Sequence, residues 1–270
     1  TASRPSESKI PGPRNSGSVP VAMDGIDTSA CFFPRKDSPG ECNGTTLKVR
    51  CRDGTTLRCL RSAFAACGEG LTLVFFHGNG ELASTWMRPS EVDGIPNFRD
   101  ALDAMVRSKT LAEYILVEYR GYGANHAVGP PSIPLLLSDA EDVLVALGVS
   151  PDKADGASTG VDGGKALPQE RVVVMGRSIG ALPALHLAVR FRRLHSLVLE
   201  SAMGDPLEFI AERCKVVTSE HLRATGLGST IATDWEHGLS AASFSGHFLQ
   251  LHCADDQFFP PDHALRNWQR

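Results

Sequence analysis

The most constraining stretch of this sequence is a β-branched apolar run that breaks into a Gly-x-Ser-x-Gly pattern. Val172-Val173-Val174-Met175 leads into Gly176-Arg177-Ser178-Ile179-Gly180, and an Ala/Leu-rich segment with helical spacing follows. This order predicts a strand, a sharp turn and a helix. Gly176 and Gly180 remove the side chains that would clash beside a serine held in strained backbone. The sequence therefore predicts that Ser178 projects at the carboxyl end of a strand as a nucleophile.

Length and composition set broad bounds on the chain. Its 270 residues suffice for one large domain with its own core, and 42% hydrophobic with 21% charged residues is ordinary for a soluble globular protein. A net charge of −4 without a basic block predicts no binding to nucleic acid. No apolar run reaches the roughly 20 residues of a membrane span, so we expect no transmembrane segment. Seven cysteines without a regular framework favour a reducing, cytoplasmic compartment, with peripheral association to a membrane left open.

The chain alternates predicted strands with helices. A hairpin is predicted from residues 46–49 and 56–63 around Asp53-Gly54, and further strands at 71–76, 114–119, 172–175, 197–200 and 247–252. Helices are predicted at 98–106, at 139–147 with Ser138 as its cap, after Gly180, and from Pro261 onwards. Crossovers long enough to return parallel predict an α/β fold, with a mostly parallel sheet covered by helices on both faces.

The domain organisation follows from composition. Residues 1–40 are rich in Pro, Ser and Gly and are predicted to form a loose N-terminal arm, whose apolar island Cys31-Phe32-Phe33-Pro34 docks on the domain. Residues 41–270 form the domain itself. Within it, 149–170 is predicted to be a flexible insertion, and 202–245 a helical, lid-like region that shapes the acyl pocket.

A serine nucleophile needs amide donors for the oxyanion. The glycine-rich segment from His77 to Glu81 follows a predicted strand, and the amide of Ile179 directly follows the serine. We assign the backbone N–H groups of Asn79 and Ile179 as the oxyanion pair. The alternative interpretation of the Asn79 loop is a plain tight turn, and His77 is expected to pack beneath the loop rather than to act as a base.

The acid of a catalytic triad is expected after the last visible strand. Asp256 is our candidate, because Phe258-Phe259-Pro260 can then form a wall of the site. Glu200 and Asp205, which follow the preceding strand, are the alternative acids.

The histidine base is missing from its expected place. Fourteen residues follow Asp256, fewer than the roughly 25 that a strand, loop and helix need. His263 lies very near the acid in sequence, and His186 is two turns into the helix after Ser178. The loop candidates are His126, His221 and His237. We therefore expect that the triad histidine lies outside this chain, and that the last strand and helix are missing.

These motifs resemble the α/β-hydrolase superfamily over about residues 46 to 270. The pieces appear in that family's order: Phe75-Phe76-His77-Gly78-Asn79-Gly80-Glu81, Glu118-Tyr119-Arg120-Gly121-Tyr122-Gly123, Gly176-Arg177-Ser178-Ile179-Gly180, Leu199-Glu200-Ser201-Ala202 and His252-Cys253-Ala254-Asp255-Asp256. Within that superfamily, the chain resembles the branch of alpha/beta-hydrolase-domain proteins that includes protein depalmitoylases and many esterases. The resemblance implies Ser178 as nucleophile, Asp256 as acid, and Asn79 with Ile179 as oxyanion donors. Cys253 stands where the family has Gly, and the family's last Gly-x-x-His segment is absent.

The sequence thus predicts a serine hydrolase acting on a small acyl ester or thioester, with a lipidated protein as one candidate substrate. Two alternatives stay open at this stage: a non-catalytic binding protein on the same fold, and an amidase or peptidase using the same site. The scattered Cys and His residues show no paired metal-ligand spacing, so no metal and no cofactor are expected.

Overall fold

The architecture is a twisted sheet covered by helices. The computed structural model describes residues 26–36, 44–62, 70–88, 96–152, 166–215, 218–237 and 244–269. In these ranges the strands are β1 (Gly44–Arg50), β2 (Thr56–Ser62), β3 (Leu71–Phe76), β4 (Leu111–Val117), β5 (Val172–Arg177), β6 (Ser196–Glu200) and β7 (His247–Leu251). They form one sheet in the order β1-β2-β4-β3-β5-β6-β7.

The sheet is mostly parallel, as predicted. β1 pairs antiparallel with β2, and β2 pairs antiparallel with β4. All remaining neighbours among the described strands, from β4 through β3, β5 and β6 to β7, are parallel. Ligands bind parallel sheets of this kind at the carboxyl ends of the strands, where the candidate site residues lie.

The helices of the described residues flank and cap the sheet. They are α1 (Ala83–Trp86), α2 (Phe98–Arg107), α3 (Ile133–Ala146), α4 (Ala181–Arg190), α5 (Pro206–Cys214), α6 (Ser219–Arg223), α7 (Gly226–His237) and α8 (Asp262–Trp268). The region expected to be lid-like contains α5, α6 and α7. No helix in the described part of the chain has both the length and the apolar character that crossing a bilayer requires.

The continuous apolar run of β3 is explained by burial on both sides of the sheet. Val74 and Phe76 lie in the core beneath α3 and α4. Leu73 and Phe75 lie in a second core beneath α1 and α2. Since alternate strand residues face opposite sides, both sets must be apolar, and no polar alternation appears in the sequence.

One predicted helix start is wrong. Ser138 does not cap α3: it is buried within the helix, and its hydroxyl donates to the Leu135 carbonyl at 3.3 Å. The cap is Ser132, whose Oγ accepts from the Leu135 amide at 3.4 Å. Pro134, in the first turn, suits a helix start because its missing N–H would have had no partner there.

The segment of residues 26–36 packs against the domain. Cys31 and Phe32 are buried, and Thr28 Oγ1 accepts a hydrogen bond from the Ile133 amide at 3.0 Å. The rest of the predicted arm, residues 1–25 and 37–40, lies outside the described residues, as do residues 153–165 of the predicted insertion.

Candidate active site

The predicted strand, turn and helix around Ser178 are present. β5 ends at Arg177, a 3₁₀ turn spans Ser178–Gly180, and α4 begins at Ala181. Ser178 itself has a φ of +52°, a left-handed conformation that costs an L-residue roughly 1–2 kcal/mol. Such strain persists only where the surroundings impose it, and it concentrates at functional positions.

Neither Gly176 nor Gly180 has room for a side chain. A Cβ on Gly176 would lie 2.2 Å from the Gly180 carbonyl oxygen, and a Cβ on Gly180 would lie 2.2 Å from the Phe76 carbonyl oxygen. Both contacts are with backbone, which cannot rotate away. The sharp turn therefore brings β3 and the start of α4 into direct contact, and this leaves Ser178 at the edge of the sheet.

The turn opens into a cleft of about 1120 Å³. Asn79, Ser178 and Asp256 all line it, so the structure brings together three residues that lie far apart in sequence. Its apolar lining consists of Phe33, Phe209, Leu251, Phe258 and Phe259. The rest of the lining is largely polar or charged and includes Glu81, Arg177 and Glu200, so the cleft offers a small molecule both apolar and polar contacts.

The loop after β3 is held from several sides. The Asn79 side chain accepts hydrogen bonds from the Phe33 amide and the Tyr122 hydroxyl, both at 2.8 Å, and donates to the Cys31 carbonyl at 2.8 Å. Its amide group is therefore fully engaged in fixing the loop. Among the described residues, the backbone N–H groups of Asn79 and Ile179 donate to no backbone carbonyl in a turn or loop, as an oxyanion pair requires.

His77 is buried beneath this loop, as expected. Its Nε2 lies 3.0 Å from Glu118 Oε1 and its Nδ1 lies 2.9 Å from the Gly78 carbonyl. The ring also packs against Tyr119, with centroids 4.1 Å apart. These contacts give it a structural position below the cleft.

Glu81 joins the Asn79 loop to the strand that carries the serine, a role that sequence reasoning missed. Its Oε2 accepts from the Gly78 amide at 2.7 Å, and its Oε1 accepts from Arg177 Nε at 2.9 Å. Arg177 also pairs with Glu200 and lies 5.6 Å above the Trp86 ring. No spacing pattern marks Glu81, because its partners come from separate elements.

We expect Glu81→Ala to reduce kcat for an activated ester about 10²-fold with little change in KM, because the Asn79 amide would lose its fixed position. Glu81→Gln retains an oxygen that can accept from Gly78, so its loss should be about tenfold or less. Steady-state kinetics of both variants measure this difference. Glu220→Ala, at an exposed position on α6, is the matched control, and equal losses in all three variants would contradict the role.

Asp256 lies at the start of a turn and is ordered by it. Its Oδ1 accepts from the Phe258 and Phe259 amides, both at 2.9 Å. Burial raises the pKa of the Asp256 carboxyl, but hydrogen bonds from the Phe259 amide, the Ser201 hydroxyl and the Phe258 amide outweigh it and hold the pKa below its ordinary value. The carboxyl is therefore ionised at neutral pH.

The alternative acids have other partners. Glu200 pairs with Arg177, although it also lines the cleft. Asp205 caps α5, where its Oδ1 accepts from the Leu207 and Glu208 amides at 2.9 and 3.1 Å.

The contacts of the predicted candidate histidines are with residues other than Ser178. His186 is buried between Glu141 and Asp234, at 2.8 Å from each. His263 Nδ1 accepts from the Gly204 amide at 2.8 Å, and His126 Nδ1 lies 3.2 Å from the Gly123 carbonyl. His221 is exposed on α6 and His237 ends α7. Within the described ranges, no side chain is hydrogen-bonded to Ser178 Oγ.

His252 lines the cleft, although it is not among the predicted candidates for the base. Its Nε2 lies 2.5 Å from the Phe259 carbonyl and 3.9 Å from Asp256 Oδ2, while its Nδ1 is buried without a partner among the described residues. Its position directly after β7, at the same sheet edge as the other site residues, could have identified it from the sequence.

Comparison with known proteins supports the fold. No protein-family model matches the sequence. Among solved structures, an acylaminoacyl peptidase of Pyrococcus horikoshii is similar at a TM-score of 0.53 and 14% identity, over 84% of this chain and 34% of its own. The chain has the α/β-hydrolase fold. A puromycin-hydrolysing peptidase of Mycobacterium tuberculosis is similar at a TM-score of 0.51 and 17% identity, over 86% of this chain and 34% of its own. The chain spans about a third of the length of these two peptidases.

Proposed function

We propose that this protein is a serine hydrolase that cleaves a carboxylic ester or thioester through an acyl-enzyme on Ser178. The observation that carries the proposal is the strained serine at φ +52°, on the wall of a wide cleft shared with Asn79 and Asp256. The similarity to the two peptidases supports the fold on which such a site is built.

In the proposed mechanism, the site residues act in turn on the serine proton, the oxyanion and the protonated base. Ser178 Oγ attacks the carbonyl carbon of the substrate as a base removes its proton. The amides of Asn79 and Ile179 donate to the oxyanion that forms. Asp256, ionised and held by the Phe258 and Phe259 amides, orients and stabilises the protonated base. The intermediate then collapses: the C–O or C–S bond to the leaving group breaks, and the alcohol or thiol departs with the proton held by the base, leaving the acyl group on Ser178. Water attacks the acyl-enzyme carbonyl, the bond to Ser178 Oγ breaks, and the carboxylic acid is released.

We propose that the base is a histidine outside the described residues, delivered beside β7. β7 is the last strand of the described sheet, and Leu249 and Leu251 on it are 50% and 45% exposed. Gln250 and His252 bury polar atoms that find no partner within the described ranges. An open strand edge with such groups accepts a further strand readily.

Esters and thioesters are favoured over amides as substrates because their leaving groups need less protonation. Expelling an amine from a tetrahedral intermediate requires a proton donated by the base residue, now acting as acid. An activated alkoxide or thiolate leaves with much less help. We therefore propose an ester or thioester as substrate, because its leaving group requires the least proton transfer from the base.

The test is covalent labelling followed by a substrate panel. A fluorophosphonate should label the protein in a 1:1 ratio, and peptide mapping should place the adduct on Ser178. p-Nitrophenyl esters of increasing chain length, matched acyl-thioesters and the corresponding anilides then rank the substrate classes. Labelling together with anilide turnover as fast as ester turnover would favour an amidase, whereas absence of labelling in the full-length protein would favour a binding protein.

A further inference from the structure

Two cysteines far apart in sequence meet beside the cleft. Cys31 Sγ and Cys214 Sγ lie 3.9 Å apart, although 183 positions separate the residues. Cys31 ends a 3₁₀ turn at Ser29–Cys31 and Cys214 ends α5. Both are free thiols. We propose that this pair is an oxidative modification site, which a low-molecular-weight disulfide such as oxidised glutathione converts to an intramolecular disulfide.

Disulfide formation requires the two sulfurs to move from 3.9 Å to the roughly 2 Å of an S–S bond. Cys214 is the last residue of its helix, and Lys215 after it turns left-handed at φ +55°. A small shift at a helix end disturbs few backbone hydrogen bonds. On the other side, the turn of Cys31 is short, so it too can adjust without moving a long element.

The two thiols differ in solvent exposure, and this difference determines which of them reacts first. Cys31 is fully buried, whereas Cys214 is partly exposed. Burial raises the pKa of the Cys31 thiol well above its ordinary value. An oxidant in solution therefore meets Cys214 first, and Cys31 is the resolving residue.

The exchange is balanced in two steps. The Cys214 thiolate, having released its proton to water, attacks one sulfur of oxidised glutathione; a protein–glutathione disulfide forms and one glutathione thiolate leaves. Cys31 then loses its proton and attacks Cys214 Sγ, which forms the Cys31–Cys214 bond and expels the second glutathione thiolate. The protein loses two electrons, and one oxidised glutathione becomes two reduced molecules.

The disulfide would connect α5 to the segment that fixes the Asn79 loop. The Cys31 carbonyl accepts from Asn79 Nδ2, and the Phe33 amide donates to Asn79 Oδ1, both at 2.8 Å. On α5, the Arg213 guanidinium already lies 5.3 Å from the Phe33 ring. Phe33 and Arg213 both line the cleft. Oxidation therefore fixes one wall of the cleft, and any effect on turnover rests on the proposed function.

The test uses the whole protein equilibrated with reduced and oxidised glutathione, then trapped with N-ethylmaleimide. We expect peptide mapping to find Cys31 linked to Cys214, with the intact mass lower by two hydrogen atoms. Closing so long a loop should raise the Tm by about 5 °C or more. Cys31→Ser and Cys214→Ser should each abolish both changes, whereas Cys253→Ser should retain them.

Three results would overturn the proposal. They are linkage of Cys214 to another cysteine, such as Cys42 or Cys67 outside the described residues; dimers joined between chains; and a pair that stays reduced in fully oxidised glutathione. Mass and Tm do not depend on hydrolysis. A failed disulfide with intact fluorophosphonate labelling therefore refutes this proposal alone, and the reverse refutes only the proposed function.

Discussion

Ser178→Ala should abolish fluorophosphonate labelling and lower the turnover of an activated ester about 10⁴-fold or more. The hydroxyl is the group that forms the covalent intermediate, and removing a serine nucleophile leaves only the residual contribution of the oxyanion donors and of substrate binding. Initial rates with a p-nitrophenyl ester, corrected for spontaneous hydrolysis, measure the loss. Ser229→Ala, at an exposed position on α7, is the matched control and should retain full activity.

Ser178→Gly separates the chemical role of this position from its strain. Glycine adopts φ +52° without the Cβ clash that serine suffers. We therefore expect it to be as inactive as Ser178→Ala, yet to raise the free energy of unfolding by about 1 kcal/mol. Urea denaturation of both variants tests this. A glycine variant less stable than the wild type would show that Ser178 is held by contacts rather than against strain.

The strands and the turn that carry this site could be predicted because they depend on local sequence patterns. The buried strands appear as short apolar runs, and β3 is apolar from Leu73 to Phe76 because Val74 and Phe75 face two different cores. The turn at Ser178 was predictable from two glycines at fixed spacing, because each glycine excludes a specific backbone contact. The strand pattern and the glycine spacing each involve residues that are close in sequence, so both can be recognised from the sequence alone.

The helix start predicted at Ser138 shows where local rules compete. Both Ser132 and Ser138 can cap a helix, and an apolar run lies between them. Tertiary burial decides in favour of the earlier residue, because Ile133, Leu136 and Leu137 all pack into the core. A capping residue alone cannot reveal which side of an apolar run the helix includes.

The contacts that position the site could not be predicted, because their members come from separate elements. Glu81 is tied to Arg177, and Cys31 approaches Cys214, across 96 and 183 positions respectively. Neither pair has a spacing rule, and the side chains are of common types. For the same reason the sequence could suggest Asp256 as an acid but could not show that the Phe258 and Phe259 amides hold it.

Gly180→Ala should strongly destabilise the protein and disrupt the turn at Ser178. The added Cβ would lie 2.2 Å from the Phe76 carbonyl oxygen and 2.8 Å from the His77 carbonyl oxygen. Because both atoms belong to backbone at the end of β3, no rotamer change relieves the overlap, and α4 must move away from the sheet. Overpacking of this kind costs about 3 kcal/mol or more, and the accompanying shift of the Asn79 loop should remove labelling in whatever folded protein remains.

The matched control for Gly180→Ala is Gly226→Ala. Gly226 is exposed in the first turn of α7, where alanine is the better helix former and should be neutral or stabilising by up to about 1 kcal/mol. Urea denaturation and fluorophosphonate labelling are measured on both variants. If Gly180→Ala unfolds at the wild-type urea concentration and is still labelled, α4 does not press on β3 as described. Ser178 would then owe its strained backbone to some other contact, because the close approach that excludes a methyl group is also what holds the turn.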